Sequence, residues 1–166
     1  MTVHPSDLLE VTVGEQGRGV PLRIGYVGVH IATYYAEEHD QFNRARAGLA
    51  NLARELGFEL VAREAGVMSA EDAGAAAREF SGADLDLLLI HAAACSMADV
   101  LLPLAELGVP LGIWATPEPG YDGDMQFNSL VTANLFASSL RRHYRHSPKP
   151  FKWFYGHVEE ESFRRR

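Results

Sequence analysis

The sequence predicts a single α/β domain built on a doubly wound, five-stranded parallel sheet, and three observations carry that prediction. Five short segments rich in β-branched and aromatic residues recur along the chain, and segments of helical period separate each from the next. The strand segments are apolar on both faces, which suits a sheet covered by helices above and below. At 166 residues, with 47% hydrophobic and 22% charged residues, the chain is large enough for one such core and has globular composition.

The elements follow in order. "LRIGYVGVHI" (22–31) reads as the first strand. In "EEHDQFNRARAGLANLARELG" (37–57), Phe42, Ala45, Leu49, Leu52 and Leu56 fall on one helical stripe, with Gly57 as a left-handed stop. "FELVARE" is the second strand. Ser69 and Asp72 form a capping pair that opens an alanine-rich helix carrying Phe80 and ending at Gly82. "LDLLLIHAAA" is the third strand, and "SMADVLLPLAELG" is a helix bent at Pro103. "VPLGIWAT" is the fourth strand, followed by the loop "PEPGYDGDMQ", the helix "FNSLVTANLFASSLRRH" (127–143) and the fifth strand "FKWFYGHV". Right-handed crossovers then give strand order 2-1-3-4-5. Residues 1–21 read as an N-terminal extension, with "LLEVTV" either a short edge strand or a segment lying over an edge, and 22–166 as the domain.

Charge and composition exclude several functions. The formal net charge is −7, whereas a nucleic-acid footprint needs clustered Lys and Arg. The arginines that do cluster, Arg141, Arg142 and Arg164–Arg166, sit at helix ends, where cations complement the dipole. One cysteine, Cys95, leaves no internal disulfide and fits a reducing compartment. With no apolar run near the ~18 residues of a membrane span and no basic-then-apolar start, the chain reads as a cytoplasmic protein without membrane or nucleic-acid partners.

In open α/β sheets the ligand crevice lies beyond the carboxyl ends of the strands. Three of the seven histidines, His30, His91 and His157, end three of the five predicted strands. Beyond those ends come Tyr34, Tyr35, Cys95, Ser96, Trp114, Thr116, Glu118 and Tyr155. Two readings of the histidines stand. Either each serves as a partly exposed side chain bonding a backbone carbonyl, or the three together hold a transition metal, although spacings of about sixty residues match no ligand signature. Trp114, Tyr34, Tyr35 and Tyr155 either stack on a ring or sugar or cap the core. Cys95 reads as a small buried hydrophobe, and His39 with Glu37 and Glu38 as the solvated start of the first helix. Asn128 and Ser129 cap the fourth helix, an N-terminus that also suits a carboxylate or phosphate.

Familiar uses of such a sheet are missing from the sequence. There is no G-x-G-x-x-G turn, no G-x-x-x-x-G-K-[ST] loop and no G-x-S-x-G elbow. The first and third strands end in histidine, not in the acids of a phosphoryl receiver, and "IATYYAEEH" is too bulky for a flavin mononucleotide loop.

The C-terminal third, "FNSLVTANLFASSLRRH" followed by "KPFKWFYGHVEE", resembles the end of the N-terminal domain in the fucose/arabinose isomerase-like family. "DLDLLLIHAAA" and "VPLGIWAT" are similar to that family's third and fourth strands. The resemblance covers about residues 22–163 and is most specific over 127–160. It implies a flavodoxin-like, three-layer domain that in longer relatives precedes two further domains. Those carry the Glu, Asp and His ligands of a divalent metal such as manganese (Mn2+), so it implies no cofactor bound by this chain alone. It also implies assembly with other copies or with a partner chain. The polar run at 155–161 then reads as a hand-over point. On this reading the domain walls one side of a sugar or polyol pocket. His30, Tyr34, His91, Trp114, Glu118, Asn128 and His157 would bond hydroxyls, with Trp114 or Tyr34 stacking, and aldose–ketose isomerisation would be completed elsewhere. A non-catalytic small subunit of an enzyme of different chemistry, and a self-sufficient enzyme with metal on the rim histidines, are the alternatives.

Overall fold

The computed structural model of the protein describes residues 20–120, 122–147 and 149–164. Its strands are β1 (Arg23–Val29), β2 (Glu59–Ala62), β3 (Leu87–Ala92), β4 (Leu111–Ala115) and β5 (Phe151–Tyr155). All pair in parallel, in the order β2-β1-β3-β4-β5. The helices are α1 (Gln41–Leu56), α2 (Ala70–Phe80), α3 (Leu101–Ala105), α4 (Ser129–His143) and α5 (Glu161–Arg164). Sheet and helices together form a flavodoxin-like α/β sandwich, with the strand order expected from the pattern. The segment "LLEVTV" lies outside the described residues.

Why the strands are apolar on both faces follows from the pleat. Val27, Val29, Leu88, Ile90, Ile113 and Ala115 point to one side and pack with Phe80, Leu101, Leu104 and Phe136 of α2, α3 and α4. Tyr26, Leu89 and Trp114 point to the other, against Leu49 and Leu52 of α1 and Phe163 of α5. At roughly 25 cal/mol per Å2 of apolar surface removed from water, these two layers supply the main drive for folding.

Local details depart from the sequence reading in three places. α1 begins at Gln41, because Asp40 adopts a left-handed φ of 53° and ends a turn that contains Glu37 and Glu38. Those acids therefore precede the helix instead of lining its first turn. The segment read as one helix divides, and its α-helical part, α3, is only Leu101–Ala105. A turn of 3-10 helix, Ala98–Val100, precedes it, and Pro103 falls in its first turn, where a missing N–H leaves no bond unmade. Asn128 occupies the cap position of α4 with a φ of 54° but makes no side-chain cap. By contrast, Ser69 does cap α2, accepting the Asp72 N–H at 3.1 Å.

α5 is a single turn, so the lane beside α1 is only part-filled. An apolar groove of about 870 Å3 opens there, lined by Ile24, Leu52, Leu56, Leu89, Phe154 and Phe163 among others. No helix among the described residues is long and apolar enough to cross a membrane.

Candidate functional site

The carboxyl ends of the strands gather most of the polar side chains singled out from sequence, but much of their bonding capacity is already used within the fold. His91 sits one residue before the end of β3, on the same face as Leu89. It is fully buried, and its ring stacks on Trp114 with centroids 3.9 Å apart and planes 19° from parallel. Its Nδ1 lies 3.0 Å from the Tyr26 hydroxyl and its Nε2 lies 2.6 Å from Thr116 Oγ1. Burial, helped by the nearby His157, lowers its pKa to about 3, so the imidazole is neutral.

A neutral imidazole has one N–H and one bare nitrogen, and the surroundings decide which is which. The Tyr26 hydroxyl is wholly buried and has no acceptor other than His91 Nδ1 among the described residues. Were Nδ1 to carry the proton, the phenolic O–H would be stranded at a penalty of about 1–3 kcal/mol. Tyr26 therefore donates to Nδ1, Nε2–H donates to Thr116 Oγ1, and the Thr116 hydroxyl proton is left to point elsewhere. Burial also raises the Tyr26 pKa, which keeps the phenol protonated.

Trp114 is spent in the same way. Its indole N–H donates to the Gly156 carbonyl at 2.8 Å, one face stacks on His91, and Phe163 packs at 5.0 Å. The expected stacking of Trp114 on a ligand is not available in this arrangement, because the ring is 2% exposed. The register explains it: His91 pairs with Trp114 across the sheet, which brings the two rings side by side on the α1 face.

Glu118, Tyr34 and Asn128 form a second group. The Glu118 carboxylate accepts the backbone N–H groups of Gln126, Phe127 and Asn128 at 2.9, 2.9 and 2.6 Å. It thereby closes the loop between β4 and α4. The Asn128 amide donates to the Tyr34 hydroxyl at 3.2 Å, and the Tyr35 N–H donates to the Gln126 carbonyl at 3.1 Å, so the β1–α1 loop is tied to this one. Ser129, expected as a cap, accepts the Thr116 N–H at 2.9 Å and donates to the Ala92 carbonyl. Ser129, the first residue of α4, thus fastens the ends of β3 and β4 to the helix.

His30 stands apart from both groups. It is buried against the edge of Phe42, and neither ring nitrogen has a hydrogen-bond partner among the described residues. The exposed Glu37 carboxylate comes to 3.7 Å from Nε2, beyond hydrogen-bond reach. Burial lowers the His30 pKa, with Glu37 and Glu38 pulling weakly the other way. The three-histidine metal rim is consequently not assembled. His91 has both nitrogens engaged, and no group of three or more His, Cys, Asp or Glu side chains among the described residues is placed to hold a metal ion.

His157 does reach an open site. With Trp114 and Thr116 it lines a cleft of about 10 Å3, close to the room one water requires, whose other walls include Gln41 and Arg44 of α1 and Glu159. Tyr26, Gln41, Arg44 and Glu159 were not among the residues expected from sequence. Gln41 and Arg44 lie on the first turn of the helix after β1, next to the strand ends, and that position was the available signal. Nothing in the sequence marked Tyr26, a mid-strand tyrosine.

No protein-family model matches the chain, and no curated protein matches its sequence.

Proposed function

We propose that the chain is a sugar-isomerase-like domain or small subunit that walls one side of a polyol pocket without performing the chemistry itself. One observation carries this reading: the polar side chains at the strand ends are used mainly to hold one another. His91, Trp114, Glu118 and Asn128 each bond or stack inside the fold, which makes the rim rigid, and the one hydroxyl that meets an imidazole, Thr116 on His91, faces an Nε2–H that donates and so offers it no base. A rigid wall with a few outward polar groups, Tyr34 and His157 here, suits positioning of hydroxyls. Among the described residues nothing covers the apolar groove beside α1, which supports the view that the domain is joined to others, since monomers rarely leave large apolar surfaces exposed. Metal-dependent aldose–ketose isomerisation would be completed by residues outside this chain.

The test is a paired assay on the purified chain. With Mn2+ present it is expected to show no aldose–ketose turnover, while C4–C6 polyols shift the amide resonances of Tyr34, Thr116 and His157 in NMR titrations at millimolar concentration. Turnover by the chain alone would overturn the non-catalytic part. An unmoved spectrum across the polyol series would overturn the wall.

A further inference from the structure

The outer face of α4 lacks the charge that a solvent-facing helix ordinarily carries. From Ser129 to Leu140 the helix holds no charged residue on any side, whereas a surface helix places charged and polar residues opposite its buried stripe. Thr132, Ala133, Phe136 and Leu140 belong to that stripe. Turned away from it are the exposed Val131 and Leu135, followed at the same helical spacing by Ser138 and Arg142. Leu102 on α3 and Met97 ahead of the 3-10 turn are exposed as well. A groove of about 540 Å3 runs between the two helices, lined by Asp99, Leu102, Leu135, Ser139, Arg142 and His143 among others.

Charge along this groove is confined to its ends. Asp99 lies in the turn ahead of α3, whereas Arg142 and His143 close the C-terminal end of α4. α3 and α4 follow neighbouring parallel strands and return over the same side of the sheet, so they run the same way. The acid and the bases therefore stand at opposite ends of an apolar middle. None of the ion pairs among the described residues uses Asp99 or Arg142.

We infer that this face binds a second copy of the chain about a two-fold axis that passes between the copies, perpendicular to α4, near Leu102 and Leu135. Such an axis sets the two α4 helices antiparallel, so their dipoles attract. It lays Leu102 and Leu135 of one copy on the same residues of the other, and Asp99 of each on Arg142 of its mate. A patch with an acid at one end and a base at the other is thus complementary to itself. The 15 residues of α4 span about 22 Å, and with α3 alongside the two copies cover roughly 1,000 Å2 in total, the weak end of specific interfaces. The inference does not rest on the sugar reading. This face lies across the sheet from α1, and an absence of polyol shifts at Tyr34 and His157 would leave it untouched.

The experiment is sedimentation equilibrium of the full-length chain from about 5 µM to about 1 mM. The mass is expected to rise from 18.3 kDa towards twice that value, with a Kd of about 10–100 µM. Leu135→Glu, at an exposed helical position, is expected to stay monomeric throughout, its fold verified by the dispersion of its 1H–15N spectrum. Asp99→Arg and Arg142→Asp are each expected to weaken the dimer about tenfold, because each sets like charges together twice per dimer. An equimolar mixture of those two single variants is expected to recover the parent Kd, since both contacts in the mixed dimer then join opposite charges. Loss through misfolding would not be rescued by mixing. A parent that stays monomeric to 1 mM would overturn the proposal and leave the face to a partner of other sequence. A dimer that survives Leu135→Glu, or single variants that mixing fails to rescue, would also overturn it.

Discussion

Acidification is expected to destabilise this fold through His91. In the unfolded chain its pKa is the ordinary ~6.5. In the fold, burial lowers it to about 3. Between those values the unfolded state binds a proton that the folded state refuses, so stability rises with pH across the interval. The contribution is complete above about pH 6.5 and is lost as the pH falls towards 3, at about 1.4 kcal/mol per unit for one proton. From pH 7 to pH 5 the loss attributable to His91 is about 2 kcal/mol, a large part of a typical domain's margin. His30, also lowered by burial, acts in the same direction. The assay is urea denaturation at both pH values for the parent and for His91→Gln, which has no titrating ring. Because His30 is common to both proteins, it cancels in the double difference. The parent is expected to lose about 2 kcal/mol more than the variant, and His91 Cε1–H is expected not to titrate above pH 5 in the native spectrum. A double difference under about 0.5 kcal/mol, or a native titration near pH 6.5, would refute a neutral buried His91.

Two further outcomes follow from the rim. Glu118→Ala removes the acceptor of three backbone N–H groups, one of them on the buried Phe127, and is expected to lower stability by about 2–4 kcal/mol, with raised hydrogen exchange at residues 126–128. An unchanged exchange rate there would show that water replaces the carboxylate fully. Gly156→Ala places a Cβ at a φ of 122°, and within 2.6 Å of the Glu160 carboxylate, beside the carbonyl that holds the Trp114 indole. Its expected loss is about 1–3 kcal/mol, with a shifted Trp114 indole N–H resonance.

What could be read in the sequence was whatever local pattern controls. Continuous apolar runs became strands, Gly57 ended α1 in the left-handed region, and Ser69 capped α2, because each depends on neighbours within one turn. Strand order also followed, since short crossovers of one hand leave few arrangements for five βα units. Two local expectations failed because the loops have their own geometry. Left-handed Asp40 delayed α1 past its acids, and left-handed Asn128 turned its amide towards Tyr34 instead of the helix.

The site divides along the same physical line. The sequence alone placed His91, Trp114, Glu118 and His157 near strand ends, because position along a strand is a one-dimensional property. Which of them stay free depends on lateral register and on the pleat, and only the assembled sheet decides those. Pairing His91 with Trp114 joined two intended ligand contacts into one buried stack, and put Tyr26, two strands from Trp114, close enough to set the imidazole's tautomer. Closing the β4–α4 loop consumed Glu118. The residues that line the small cleft beside His157, Thr116, Gln41 and Arg44, come from segments far apart in the chain. They converge because β4 lies near the start of α1 in the fold, a contact between distant residues that no local pattern encodes.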